Sequence, residues 1–185
     1  MKKEKSEFRR TLFDKTPVDW EIVRLGEILS LEYGESLPEN FRLKGNYPVF
    51  GSNGIIGHHE KSLVKGPGIV VGRKGTIGAV SWVDSDFWPI DTTYFVKTTN
   101  ENVFLRWLFF RLKQENLSKL SQSDVVPGLK RELVYHLQIP LPPLPEQRRI
   151  AEILSAADRK LELERRRKEK LERVKKGLMN ELLTG

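Results

Sequence analysis

Two glycine-spaced segments stand out in the first part of this sequence for the polar side chains they hold: Phe50–Gly57, FGSNGIIG, and Val71–Gly78, VGRKGTIG. Glycine lets a backbone come close to a phosphate, while Arg, Lys and Asn present paired donors to the edges of guanine or adenine. Ser52, Asn53, Arg73, Lys74 and Thr76 are therefore candidate DNA contacts, and Thr92, Thr93 and Lys130 add further hydroxyl and ammonium donors. The same residues also suit tight turns that need positive φ, and Asn53-Gly54 alone would justify a hairpin. Both readings stand at this point. Gly72-Arg73-Lys74-Gly75-Thr76 lacks the four-residue gap and Gly-Lys-Ser/Thr ending of a phosphate loop, which argues against nucleotide binding.

Catalytic chemistry finds little footing elsewhere. The histidines are His58, His59 and His136. The adjacent pair alternates sides in an extended segment, with only Glu60 close by, which is a poor metal site. Asp84, Asp86 and Asp91 share one loop region and read as turn formers. No nucleophile elbow, metalloprotease motif or nuclease-like carboxylate cluster stands out, so no catalysis and no cofactor of the chain's own are expected. Zero cysteines exclude disulfides and thiolate zinc sites. The formal net charge of +7 favours a polyanionic partner. No apolar run approaches the roughly 18 residues of a membrane span and no signal-peptide pattern is visible, so a cytoplasmic location is expected.

Positioning those donors falls to one modest domain, for which 185 residues leave room beside an appendage. Residues 1–16 are polar and basic without a period, and read as a tail or edge segment. Residues 17–142 form the head and residues 143–185 a helix. Trp20–Glu27 should anchor the first strand or a short helix. Tyr47–Phe50, Gly68–Val71, Ala79–Val83 and Thr92–Val96 read as strands. Asn102 is placed to cap a helix whose apolar face is Leu105, Leu108, Phe109 and Leu112, and a second short helix covers Lys130–Leu137. Trp82, Trp88 and Trp107 read as core or domain-joint residues. Strands come first and helices after them, so the head is α+β with a mixed or antiparallel sheet. There are no internal repeats.

Between the two parts runs Ile139–Ile150, IPLPPLPEQRRI. Pro140, Pro142 and Pro143 predict an extended, stiff connector, and Pro145 sits where a helix can begin. Glu146 there favours the positive end of the helix dipole. Residues 146–185 hold twelve basic and eight acidic side chains. The run Arg165–Lys168 reads either as a solvated face or as a stripe facing phosphates. Apolar residues at Ile150, Ile153, Leu154, Ala157 and Leu161, then at Leu171, Val174, Leu178 and Leu182, alternate in threes and fours like a coiled-coil seam. Glu164, Arg167 and Lys168 interrupt it. About 38 helical residues would span about 57 Å. A helix so charged and narrowly striped needs a partner helix, and the two-part seam would match end to end in an antiparallel homodimer. Gly177 either permits a close helix–helix approach or weakens the last turns.

Taken together, Trp20-Glu-Ile-Val-Arg-Leu-Gly-Glu27, Pro48-Val-Phe-Gly-Ser-Asn-Gly54, Ile69-Val-Val-Gly-Arg-Lys-Gly-Thr-Ile-Gly78, Asp91-Thr-Thr93 and Ile139-Pro-Leu-Pro-Pro-Leu-Pro-Glu-Gln147 resemble the specificity subunits of type I restriction–modification systems. The resemblance runs from about residue 17 through nearly the whole chain, and the Pro-Pro-Leu-Pro-Glu-Gln segment is its most specific piece. It implies a target recognition domain that reads double-stranded DNA, a conserved spacer helix and no catalysis. It further implies methyltransferase subunits that modify adenine as partners, and through them a restriction and translocase subunit. S-adenosylmethionine, ATP and Mg2+ would belong to those partners.

A typical family member carries two recognition domains and two spacer helices, which pair antiparallel within one chain; here there is one of each. The difference implies either a half-subunit that forms a homodimer or a truncated half. The ending Leu182-Leu-Thr-Gly185 resembles the end of a family chain and favours the first. Two identical heads about a two-fold axis would read an interrupted palindrome. The competing readings are a small DNA methyltransferase or nuclease with a similar recognition domain, and a coiled-coil adaptor that binds only protein. Against the first, Leu141-Pro-Pro-Leu144 is not the Asn/Asp-Pro-Pro-Tyr/Phe segment that adenine methyltransferases need.

Overall fold

A computed structural model describes Pro17, residues 19–120 and residues 128–184; the expected tail, residues 1–16, lies outside the described residues. In chain order the elements are β1 (Glu21–Arg24), α1 (Leu25–Ile28), β2 (Leu29–Tyr33), β3 (Tyr47–Gly51), β4 (Gly54–His59), β5 (Gly68–Gly72), β6 (Val80–Val83), β7 (Trp88–Pro89) and β8 (Thr93–Thr98). Then follow α2 (Leu105–Gln114), α3 (Arg131–Tyr135), β9 (Gln138–Leu141) and the long α4 (Leu144–Thr184). The head is α+β, as expected.

Its centre is a four-stranded antiparallel sheet in the order β2-β8-β5-β6. Every residue of β5 is buried, and the two-residue period divides its side chains between two cores. Ile69 and Val71 enter the larger one with Leu25, Leu31, Val96, Trp107, Leu108 and Leu112. Val70 faces the smaller one with Phe50, Val83, Phe87 and Phe95. A second sheet, β4-β3-β7, pairs β3 antiparallel with β4 and parallel with β7. The expected strands all form, within one or two residues of their predicted bounds. Trp20–Glu27 supplies a strand and a helix in succession rather than one of them.

Three expectations change. Asn102 does not cap α2: the residue before the helix is Phe104, no side chain caps it, and Asn102 sits in a turn where its N–H meets the Asn100 carboxamide at 2.8 Å. The second short helix is trimmed to Arg131–Tyr135, because the Leu137 carbonyl turns away to accept the Leu25 N–H. The first part of the proline connector is a strand, β9, with Pro140 opposite Ile22 of β1. A two-stranded ribbon leaves one edge of each strand unpaired, so a proline that donates nothing fits there. Strands therefore do not all precede helices, and β9 ties the end of the head back to its beginning.

Candidate nucleic-acid interface

The β3–β4 hairpin closes through Gly51 opposite Gly54, which leaves Ser52-Asn53 as its two-residue loop. Gly54 has φ +110°, so the backbone freedom of glycine is used there. The loop Arg73–Ala79, between β5 and β6, is equally constrained. Gly75 and Gly78 both have φ +73°, and a Cβ on Gly72 would lie 2.1 Å from the Thr76 carbonyl. The turn reading of both glycine-spaced segments therefore holds, and it is what aims their donors.

Three distant segments converge on that second loop. Ser52 Oγ accepts the Thr76 N–H at 3.4 Å, which sets the hairpin loop beside it. The Thr92 carbonyl accepts the N–H groups of Arg73 and Lys74 at 2.9 and 3.1 Å. The Arg73 carbonyl accepts the Leu129 N–H at 2.9 Å, which brings in Lys130 and Arg131. Ser52, Asn53, Arg73, Lys74, Thr76, Thr92 and Lys130 thus share one cluster of loops, with Asn53, Lys74, Thr76 and Lys130 exposed. Thr93 does not belong. It is fully buried and its hydroxyl donates to the Ile90 carbonyl at 2.7 Å, because β8 alternation turns it inward.

Arg73 has a second duty. Its Nε and Nη2 donate to the Asp91 carbonyl at 3.0 and 2.6 Å, and its guanidinium lies 5.2 Å from the centre of the Tyr33 ring. Arg131 approaches the same ring to 5.1 Å. Tyr33, half exposed between two guanidinium groups, forms a cationic and aromatic patch of the kind that engages phosphates and bases. Neither Tyr33 nor Arg131 was marked by the sequence reading. The Lys130-Arg131 pair was a usable signal, whereas Tyr33 at a strand end offered none. Beneath the patch, burial first and then the hydrogen bond with Tyr33 push the Tyr94 hydroxyl up to about 12. It stays protonated and donates to the Leu129 carbonyl at 3.0 Å, which holds the Lys130–Arg131 segment in place.

Among the described residues no group of three or more His, Cys, Asp or Glu side chains is arranged to hold a metal ion. His59 is buried, and its Nδ1 accepts the Leu43 N–H at 3.0 Å. Trp107 lies in the larger core, and Trp82 packs against Arg106 beside the long helix.

The head meets α4 through the Pro-Glu-Gln segment. Pro143 caps the helix, its carbonyl accepting the N–H groups of Glu146 and Gln147 at 2.9 and 3.0 Å. Gln147 is fully buried. Its Nε2 donates to the carbonyls of Asn102 and Pro142, and its Oε1 accepts the Phe104 N–H, all at 2.8 Å. Glu146 accepts the Trp20 indole N–H at 2.9 Å, and Arg106 reaches Ser155 Oγ at 3.1 Å. The motif is thus a fastening between the first strand, α2 and the long helix. Ile150 packs on the head core at this joint rather than standing free in the seam.

Beyond Asp158 every residue through Leu183 is exposed. Ile153, Leu154, Ala157, Leu161, Leu171, Val174, Leu178 and Leu182 are open on one helix, as are Leu163, Met179 and Leu183, which the seam reading did not include. The helix has 41 residues, about 62 Å. It exceeds the expected length because it starts at Leu144.

Residues 17–173 match the family described as the type I restriction modification DNA specificity domain. The chain belongs to this family. Among its relatives are the MjaVIII specificity subunit of Methanocaldococcus jannaschii, 26% identical over 98% of this chain and 49% of that protein, and the Escherichia coli EcoprrI specificity subunit, 26% identical over 79% and 38%. The fold agrees with the solved S subunit from M. genitalium, with a TM-score of 0.72 at 18% identity over 94% of this chain and 47% of that one. A chain solved in work on assembly and conformational transition of the type I R-M system gives 0.73 at 19% identity, over 99% and 51%. This specificity-domain chain therefore spans about half the length of the relatives it matches. Among its described residues no helix is long and apolar enough to cross a membrane.

Proposed function

We propose that the chain is the sequence-specific double-stranded DNA recognition subunit of a type I restriction–modification complex, without catalysis of its own. Its head reads DNA through the loop cluster. It docks methyltransferase subunits, directs their adenine methylation, and through them directs a restriction and translocase subunit. S-adenosylmethionine, ATP and Mg2+ are the partners' requirements, and the complex works in a prokaryotic cytoplasm. The observation that carries this reading is the convergence of Asn53, Lys74, Lys130 and Arg131 on one face of a head fastened to a helix about 62 Å long.

Two copies pair antiparallel through the exposed seam, so one head stands at each end and the target is an interrupted palindrome. The test is reconstitution with methyltransferase subunits, followed by mapping of methylated adenines on random DNA. Two inverted copies of one half-site are expected; methylation without sequence preference would defeat the reading. Because the relatives are about twice as long, the alternative occupant of the seam is a second spacer helix from a different sequence. Sedimentation of the chain alone separates the two.

A further inference from the structure

We propose that Glu164 and Lys168, which interrupt the apolar seam, are the key that selects the antiparallel register of two copies of this chain. The inference rests on the pairing proposed above and concerns how it is specified.

The seam repeats at 150, 154, 157, 161, 164, 168, 171, 175, 178 and 182, alternating four and three. Turning the helix end for end about residue 166 maps this series onto itself. Leu161 then faces Leu171 and Leu154 faces Leu178, while Leu182 meets the joint where Ile150 packs on the head. Ala157, the smallest seam residue, faces Lys175, whose stem can lie along the seam while its ammonium reaches water. At the centre Glu164 of each copy faces Lys168 of the other, giving two reciprocal ion pairs on either side of the two-fold axis. Off the main row Ile153 faces Met179, and Val174, an apolar residue of the seam, faces Asp158.

The competing alignments each carry a penalty. A parallel pair stacks Glu164 on Glu164 and Lys168 on Lys168. Sliding the antiparallel pair by one heptad in one direction sets Lys168 against Leu171, and in the other sets Glu164 against Leu161. Each move places a charge against an apolar side chain, so the polar layers weaken the dimer a little in return for a single arrangement. Lys168 Nζ stands 3.8 Å from Glu172 Oε1 with both side chains mostly exposed, a pairing easily exchanged. Glu164, Lys168, Leu171 and Lys175 border one shallow groove along the helix, so they share the face that the second copy would cover.

The chain contains no cysteine, so introduced thiols report without background. Full-length Glu164→Cys and Lys168→Cys are oxidised separately and as a mixture, beside wild-type protein in the ultracentrifuge. The mixture should give a cross-linked dimer at least about tenfold faster than either variant alone. Glu164→Cys cross-linking to itself just as fast would overturn the register. In parallel, Glu164→Lys and Lys168→Glu should each self-associate at least about tenfold more weakly than wild type, yet pair with one another when mixed. If neither variant alters self-association, the polar layers are not the key. A wild-type dimer with a different cross-linking pattern defeats the register and leaves the pairing intact. A wild-type chain that stays monomeric alone and with methyltransferase subunits, or that takes its partner helix from a different sequence, defeats both.

Discussion

The first three turns of the long helix and its remaining length obey different rules. At the joint Gln147 is fully buried with both amide hydrogens and its oxygen bonded, Ala151 is buried, and Ile150 packs on the head. From Lys160 through Leu183 every described residue is exposed, Leu161, Leu171, Leu178 and Leu182 included. An isolated helix with so narrow a stripe gains little from its own turns. One end is therefore buried within a single chain, and the other is left exposed. A rigid joint with an unfinished shaft suits a spacer whose length matters and whose pairing is specific.

The contrast can be broken most severely at the open end. Leu178→Asp places a charge in the seam twice per dimer, and self-association should weaken by at least about a hundredfold. The thermal transition of the head should stay where it was, because residue 178 lies far from it. If Leu178→Asp unfolds the head, the shaft is not independent of it. Next comes the joint. Gln147→Ala orphans the Phe104 N–H and two carbonyls, at about 1–3 kcal/mol for each buried group left unpaired. A loss of at least about 3 kcal/mol in head stability by urea unfolding is expected. A smaller loss than that of an exposed alanine substitution would show that the joint is not fastened there.

The reading face should respond more gently and in a graded way. Lys74→Ala and Arg131→Ala should each cost about 1–3 kcal/mol of DNA affinity where a base is read, with relaxed specificity. A phosphate contact would instead weaken all sequences alike and lower the salt slope. Arg73→Ala should reduce head stability as well, since its guanidinium holds the Asp91 carbonyl. Equal DNA affinity in all three variants by fluorescence anisotropy would leave the loops as turns only. Smallest is Gly177→Ala. A Cβ there meets nothing within 4 Å in the single chain. The change should stabilise the helix by about 1 kcal/mol in circular dichroism melts and leave DNA binding unaltered.

What was legible in the sequence was what is local. Prolines fix φ wherever they fall, so the helix start near Pro145 could be read directly, and glycines at Gly54, Gly75 and Gly78 announced turns that the backbone adopts. The β9 strand was masked by its proline, because its pairing depends on β1, more than a hundred residues away. Gln147 could be quoted as part of a motif, but its partners Asn102 and Phe104 lie more than forty residues earlier. For the same reason Tyr33 and Arg131 were invisible as a pair, and Thr93 looked available until strand alternation turned it inward. Donor type can be read from a sequence, but the direction in which a donor points cannot.

If a fastened helix sets the distance between two identical reading heads, changing its length in whole heptads should change the DNA between the half-sites. Removing Glu162–Lys168 takes out seven residues and both polar layers, and shortens the shaft by about 10 Å. Leu161 joins a seam that continues in phase through Leu171, and the apolar pairs Leu161–Leu171 and Leu154–Leu178 keep the antiparallel match. Methylated sites should then be mapped for the wild type and the shortened chain in complex with the same methyltransferase subunits. With DNA advancing 34–36 Å per turn of about ten base pairs, the unread spacer should shrink by about three base pairs while both half-sites stay the same. An asymmetric wild-type site, or a spacer unchanged by the deletion in a complex that still methylates, would contradict the account.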